Sequence, residues 1–117
     1  MNIEDFRLYC LSKTAVTEDF PFDQSTLVFK VAGKMFALTD VGSFDGVNLK
    51  CDPERALELR ETYHWIRPGY HMNKNHWNTV DMAWDMDENL FLELVDHSYD
   101  LVVASLPKKL RESQKLL

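Results

Sequence analysis

Apolar residues change their period several times along this chain, and each change marks an element. Over Ile3 to Ser12, Phe6, Tyr9, Cys10 and Leu11 recur at helical spacing. Asn2 stands where an N-cap belongs, and Glu4 and Asp5 occupy the first turn, where the helix dipole favours negative charge. The β-branched residues of Thr14 to Thr17 end that helix. Glu18-Asp19-Phe20-Pro21-Phe22 then reads as a short extended piece, whose proline implies an edge or irregular position. A hairpin follows in Thr26–Val31 and Lys34–Thr39, with Ala32-Gly33 as a two-residue turn. That turn sets Val31 opposite Lys34, Phe29 opposite Phe36 and Leu27 opposite Leu38. Leu27, Phe29, Val31, Phe36 and Leu38 are therefore expected on the core face, with Lys30, Met35 and Ala37 on the other.

A polar loop from Asp40 to Gly46 leads to a third strand, Val47 to Cys51, with Val47, Leu49 and Cys51 inward and Asn48 and Lys50 outward. Asp52-Pro53-Glu54 is a helix start: N-cap carboxylate, proline at the first helical position, acid in the first turn. Ala56, Leu59 and Tyr63 form its buried stripe, with Leu57 beside them. Pro68-Gly69 turns the chain after Trp65-Ile66, and Trp77 to Asp81 reads as a last strand. A long helix begins at Asp87, where Leu90, Leu94, Ser98 and Leu101 recur alongside Phe91, Val95 and Val102. Pro107 ends it, and a basic tail follows from Lys108. The order predicts one domain over residues 1–117, of α+β class: a mostly antiparallel sheet with helices packed on one face.

Composition adds limits. The chain has 117 residues and a formal net charge of −6, from 19 acids against 13 Lys and Arg. That balance argues against non-specific coating of nucleic acid. No apolar run reaches membrane-spanning length, and the acidic N-terminus lacks the positive charge of a signal peptide, so a cytoplasmic location is expected. The two cysteines, Cys10 and Cys51, form no CxxC pair and are expected as buried thiols.

The distribution of charge changes the picture. No acid occurs between Gln24 and Thr39, or between Thr62 and Val80. The second interval holds Arg67-Pro68-Gly69-Tyr70-His71-Met72-Asn73-Lys74-Asn75-His76-Trp77-Asn78-Thr79-Val80, too polar for a core and too rich in large side chains for a linker. Lysine there can pair with phosphate, asparagine can bond a base edge, and an indole can stack. Trp77 can equally fill the core beneath the loop. Lys30 and Lys50, on the outer sheet face, could extend a basic track toward Arg67 and Lys74.

Other chemistries have no support. The four histidines lack metal-ligand spacing, and no HExxH, nucleophile elbow, phosphate loop or catalytic triad signature occurs. No catalytic residue, cofactor or metal is assigned.

Leu27-Val28-Phe29-Lys30-Val31, Leu49-Lys50-Cys51-Asp52-Pro53, Pro68-Gly69-Tyr70-His71-Met72-Asn73-Lys74, His76-Trp77-Asn78-Thr79-Val80 and His97-Ser98-Tyr99-Asp100-Leu101-Val102 resemble the MmcQ/YjbR family of small bacterial proteins. The resemblance spans nearly the whole chain. It departs at Lys13 to Thr17, which lacks the Pro-Gly common after the family's first helix. It implies a CyaY-like α+β fold of double-wing type and a DNA-binding role. The fold analogy carries no iron chemistry with it. The expectation is a small non-catalytic module contacting double-stranded DNA through Lys30, Lys50, Arg67, His71, Asn73, Lys74, His76 and Trp77. The alternative is a protein or small-anion site using the same surface as a pocket. A continuous positive groove favours the first; an isolated pocket lined by Tyr70, His71 and Trp77 favours the second.

Overall fold

The computed structural model describes residues 1–116. Its elements are α1 (Ile3–Leu11), β1 (Val16–Asp19), β2 (Thr26–Val31), β3 (Lys34–Asp40), β4 (Gly46–Lys50), α2 (Pro53–Thr62), β5 (Ile66–Pro68), β6 (Trp77–Asp81), α3 (Glu88–Ser105) and α4 (Lys108–Ser113). The strands form one sheet in the order β1-β2-β3-β4-β6-β5, antiparallel throughout. Phe6 and Cys10 of α1, Ala56 and Leu59 of α2, and Phe91, Leu94, Val95 and Val102 of α3 join a single core on one face. The class and layering are those the sequence predicts.

The helix starts obey local chemistry. Asn2, Asp52 and Asp87 each accept a backbone N–H from the residue three further on, at 2.8, 3.2 and 3.2 Å. Ala32 and Gly33 both have positive φ, 48° and 85°, the backbone of a hairpin turn that matches strand twist.

The hairpin register differs from the expected one after two pairs. Val31 faces Lys34 and Lys30 faces Met35, but Phe29 faces Ala37 and Val28 faces Leu38. Phe36 is the extra residue of a β-bulge, which places Phe36 and Ala37 both in the core. Leu38 is thereby turned to the opposite face, where it packs with Val28 and Trp77. A single inserted residue inverts everything beyond it.

Ser98 explains how the bulge is tolerated. The β3–β4 ladder stops at the Ala37–Leu49 pair. Fully buried on α3, Ser98 donates its hydroxyl to the Phe36 carbonyl at 2.5 Å and accepts the Lys50 N–H at 2.9 Å. One hydroxyl satisfies a donor and an acceptor that the sheet leaves over.

Four further expectations need correction. The extended piece is Val16–Asp19, so Pro21 lies beyond the edge strand. Leu57 is exposed, because the α2 stripe is as narrow as Ala56 and Leu59. Ile66–Pro68 is a strand, paired with β6. The basic tail is a short helix, after which Leu116 is buried and donates its N–H to the Arg111 carbonyl.

Candidate functional site

The helix-free face of the sheet carries the site. Val28, Leu38 and Trp77 form a second apolar cluster there, joined by Met35 and Met72. Met72 comes from the loop between β5 and β6, which folds back over the sheet. Between that loop and the ends of β2, β3 and β4 lies a cleft of about 600 Å³. Its apolar lining is Phe22, Leu38, Tyr70 and Met72, and its floor includes Asn48 and Thr79.

The loop is fixed by its own hydrogen bonds and by its neighbours. The Gly69 N–H donates to the Trp77 carbonyl at 2.9 Å, and a Cβ on Gly69 would stand 2.7 Å from that of Trp77. Glycine is needed there for close approach. Thr79 donates its hydroxyl to Asn48 Oδ1 at 2.6 Å and accepts the Tyr70 N–H at 3.0 Å. Asn48 Nδ2 closes the ring by donating to the Tyr70 carbonyl at 3.0 Å. From α2, the Arg60 guanidinium reaches the Lys74 carbonyl at 2.8 Å and Asn78 Oδ1 at 3.3 Å. His71 then adopts φ of 58°, with its ring centroid 4.0 Å from that of Tyr70.

Carboxylates gather at the other rim. Asp23, Asp40 and Asp45 all line the cleft. Asp23 Oδ1 accepts the N–H groups of Thr26 and Ser25 at 2.6 and 2.9 Å, and these bonds, the Thr26 amide foremost, hold its carboxyl below the usual range. Asp40 Oδ1 accepts from the Gly42 and Ser43 amides, and Asp45 Oδ1 from the Ser43 hydroxyl. The first acid-free interval ends in Asp23 and Asp40, and antiparallel pairing folds those ends together, with Thr26 facing Asp40; Gly46, next to Asp45, faces Asp81.

The sequence-derived surface residues separate in space. Arg67 borders the cleft but clasps Asp81 through Nε and Nη2 at 2.9 Å each, and that bond raises the guanidinium pKa further. Lys30 lies 3.5 Å from Asp19. Trp77 is 9% exposed and belongs to the apolar cluster under the loop. Asn73, exposed, accepts the Asn75 N–H through its side-chain oxygen at 2.9 Å. The Lys74 ammonium donates to the Gly69 carbonyl at 3.2 Å, and the exposed His76 gives its backbone carbonyl to the Cys51 N–H. Lys50 sits opposite Trp77 on the neighbouring strand. Of the eight residues, Arg67 and His71 border the cleft. Among the described residues, no carboxylate forms an ion pair with Lys50 or Lys74.

The family model for YjbR matches residues 11–101. The chain belongs to the YjbR family. It is 34% identical to Escherichia coli YjbR over all of this chain and 98% of that one. It is 40% identical to Escherichia coli YbdF across 77% of this chain and 75% of that one. A crystal structure of a Deinococcus radiodurans protein superposes with a TM-score of 0.94 at 40% identity, over 99% of this chain and 89% of that one. One from Pseudomonas syringae gives 0.74 at 28% identity, over 86% and 98%.

Other chemistry on this YjbR-family chain is quiet. Both thiols are free and buried, as expected, and burial pushes Cys10 up to about 12 and Cys51 up to about 11. Among the described residues no group of three His, Cys, Asp or Glu is placed to hold a metal, and no helix is long and apolar enough to cross a membrane. The reading from sequence missed Asp23, Asp40, Asp45, Phe22, Leu38 and Thr79 as cleft residues. The hairpin register carried a signal for two of them, since pairing the ends of β2 and β3 brings the segments bearing Asp23 and Asp40 together.

Proposed function

We propose that this YjbR-family chain is a binding module that takes a small organic molecule into the cleft between the β5–β6 loop and the open face of the sheet. The observation carrying this reading is a cavity of ligand size, about 600 Å³, roofed by a loop held in place by the Asn48–Thr79–Tyr70 ring. Its lining mixes apolar side chains with a few positioned polar groups, the composition expected of a ligand site. A rigid roof limits the ordering cost of binding. The test is a fragment library containing cations, anions and neutral compounds, read by ¹⁵N–¹H chemical shifts on the intact chain. Shifts concentrated at Asn48, Tyr70, Met72 and Thr79 support the reading. A library in which no compound of any charge moves those resonances removes it.

A second reading is contact with double-stranded DNA, supported by Lys50 and Lys74, which lack carboxylate partners among the described residues. Lys30 and Arg67 are already engaged by Asp19 and Asp81. Two lysines without carboxylate partners correspond to a plot of log K against log salt with a slope of about −2, shallower than a track of four basic residues would give. Fluorescence anisotropy on a short duplex at two salt concentrations, with Lys74→Ala as control, measures it. Undetectable binding at low salt eliminates this reading.

A further inference from the structure

We infer that the molecule taken by the cleft is an organic cation: a primary amine or guanidinium carried on an apolar body. The inference rests on the cleft reading above and adds the charge of its ligand. Three carboxylates, Asp23, Asp40 and Asp45, line one cavity. Arg67, the one Lys or Arg among the lining residues, does not offset them. Arg67 is committed to Asp81 by three contacts between 2.9 and 3.1 Å, so its charge is balanced before any ligand arrives. Lys30 and Lys74 do not line the cavity. An anion entering would meet uncompensated negative charge; a cation would relieve it.

Two of the three carboxylates also keep a free oxygen, while Asp23 Oδ2 accepts the Thr26 hydroxyl at 3.0 Å. Asp40 and Asp45 each use Oδ1 to hold their own loop, and among the described residues their Oδ2 atoms accept no hydrogen bond. An ammonium or guanidinium donates to such oxygens directly, in charge-assisted bonds.

Aromatic rings supply the second attraction. Phe22 and Tyr70 both line the cavity and are each 63% exposed. Aromatic rings lining a negatively charged cavity add a cation–π attraction for a cationic ligand. Leu38 and Met72 provide the apolar contact for the remainder of the ligand. A bare metal ion fits less well, since the oxygens do not converge as a coordinating cluster among the described residues.

Three probes of nearly equal size separate charge from shape: phenethylamine, 2-phenylethanol and phenylacetate. Each is titrated into the intact chain near neutral pH and followed by ¹⁵N–¹H shifts at Asn48, Tyr70, Met72 and Thr79. The amine is expected to bind at least about tenfold tighter than either of the others, and to weaken as salt rises. The double variant Asp40→Asn, Asp45→Asn keeps both Oδ1 acceptors, so the loops retain their bonds. It should lower amine affinity about tenfold while leaving the alcohol unchanged. Phe22→Ala should weaken the amine. Equal affinity for amine and alcohol, or preference for phenylacetate, overturns the charge assignment while the cleft reading stands. If none of the three binds although library fragments map to the cleft, the inference alone falls. If library and probes both fail, both fall together.

Discussion

Single side chains in this protein close gaps that the backbone leaves open. Ser98 is the clearest: its hydroxyl serves the Phe36 carbonyl and the Lys50 N–H where the β3–β4 ladder stops. Ser98→Ala should destabilise by about 1–3 kcal/mol, more than a surface serine would, because two buried backbone groups lose their partner. Urea unfolding measures it, and a change within a few tenths would contradict the bridging role. Gly69 is constrained by space rather than by φ. Gly69→Ala drives a Cβ into Trp77 and should cost about 1–3 kcal/mol while shifting the cleft resonances. His97 gives a pH dependence. Its Nε2 accepts the Asp52 N–H at 3.2 Å, and burial, aided by Arg55, lowers its pKa from 6.5. The folded state therefore binds fewer protons than the unfolded state below that value, and stability should fall as pH drops through the mid-6 range. His97→Gln should flatten that part of the stability curve.

At the scale of elements, the loop between β5 and β6 is held from outside as well as by its own hydrogen bonds. α2 reaches it through Arg60, β4 through Asn48 and β6 through Thr79. Arg60→Ala removes the bonds to the Lys74 carbonyl and to Asn78. Hydrogen exchange of residues 70–76 should accelerate about tenfold or more, with the α3 amides unchanged. Uniform acceleration would mean that Arg60 supports the whole fold and not the loop. The element pattern also explains what was legible. The hairpin turn, the caps at Asn2, Asp52 and Asp87, and the stripe of α3 follow from local chemistry, and each reads directly along the chain. The bulge at Phe36 does not, because alternation by itself permits either register. Selection came from the α3 contact, which accommodates Phe36 and Ala37 together and supplies Ser98. Leu38 could be placed on its face only after that choice.

At the scale of the molecule, electrostatics are decided by folding. A net charge of −6 says little about any one surface. Sequence intervals without acid suggested a basic face, yet Asp19 and Asp81 reach its cations and Asp23, Asp40 and Asp45 border its cleft. A long duplex laid across this face would meet those carboxylates as well as Lys50 and Lys74. The expected salt slope of about −2 expresses that limit, and a measured slope near −4 would restore the wider basic track.

By itself, the sequence determined the class of fold, the family membership carried by segments along nearly the whole chain, the caps, the hairpin turn and the buried thiols. These depend on contacts within a few residues or on the period of apolar positions. Tertiary structure alone decided the register beyond Phe29, the face of Leu38, the burial of Trp77 and the carboxylate rim of the cleft. Each of those depends on which strand ends meet across the sheet. That meeting is set by the packing of α3 against a bulged strand, an interaction between residues more than sixty positions apart.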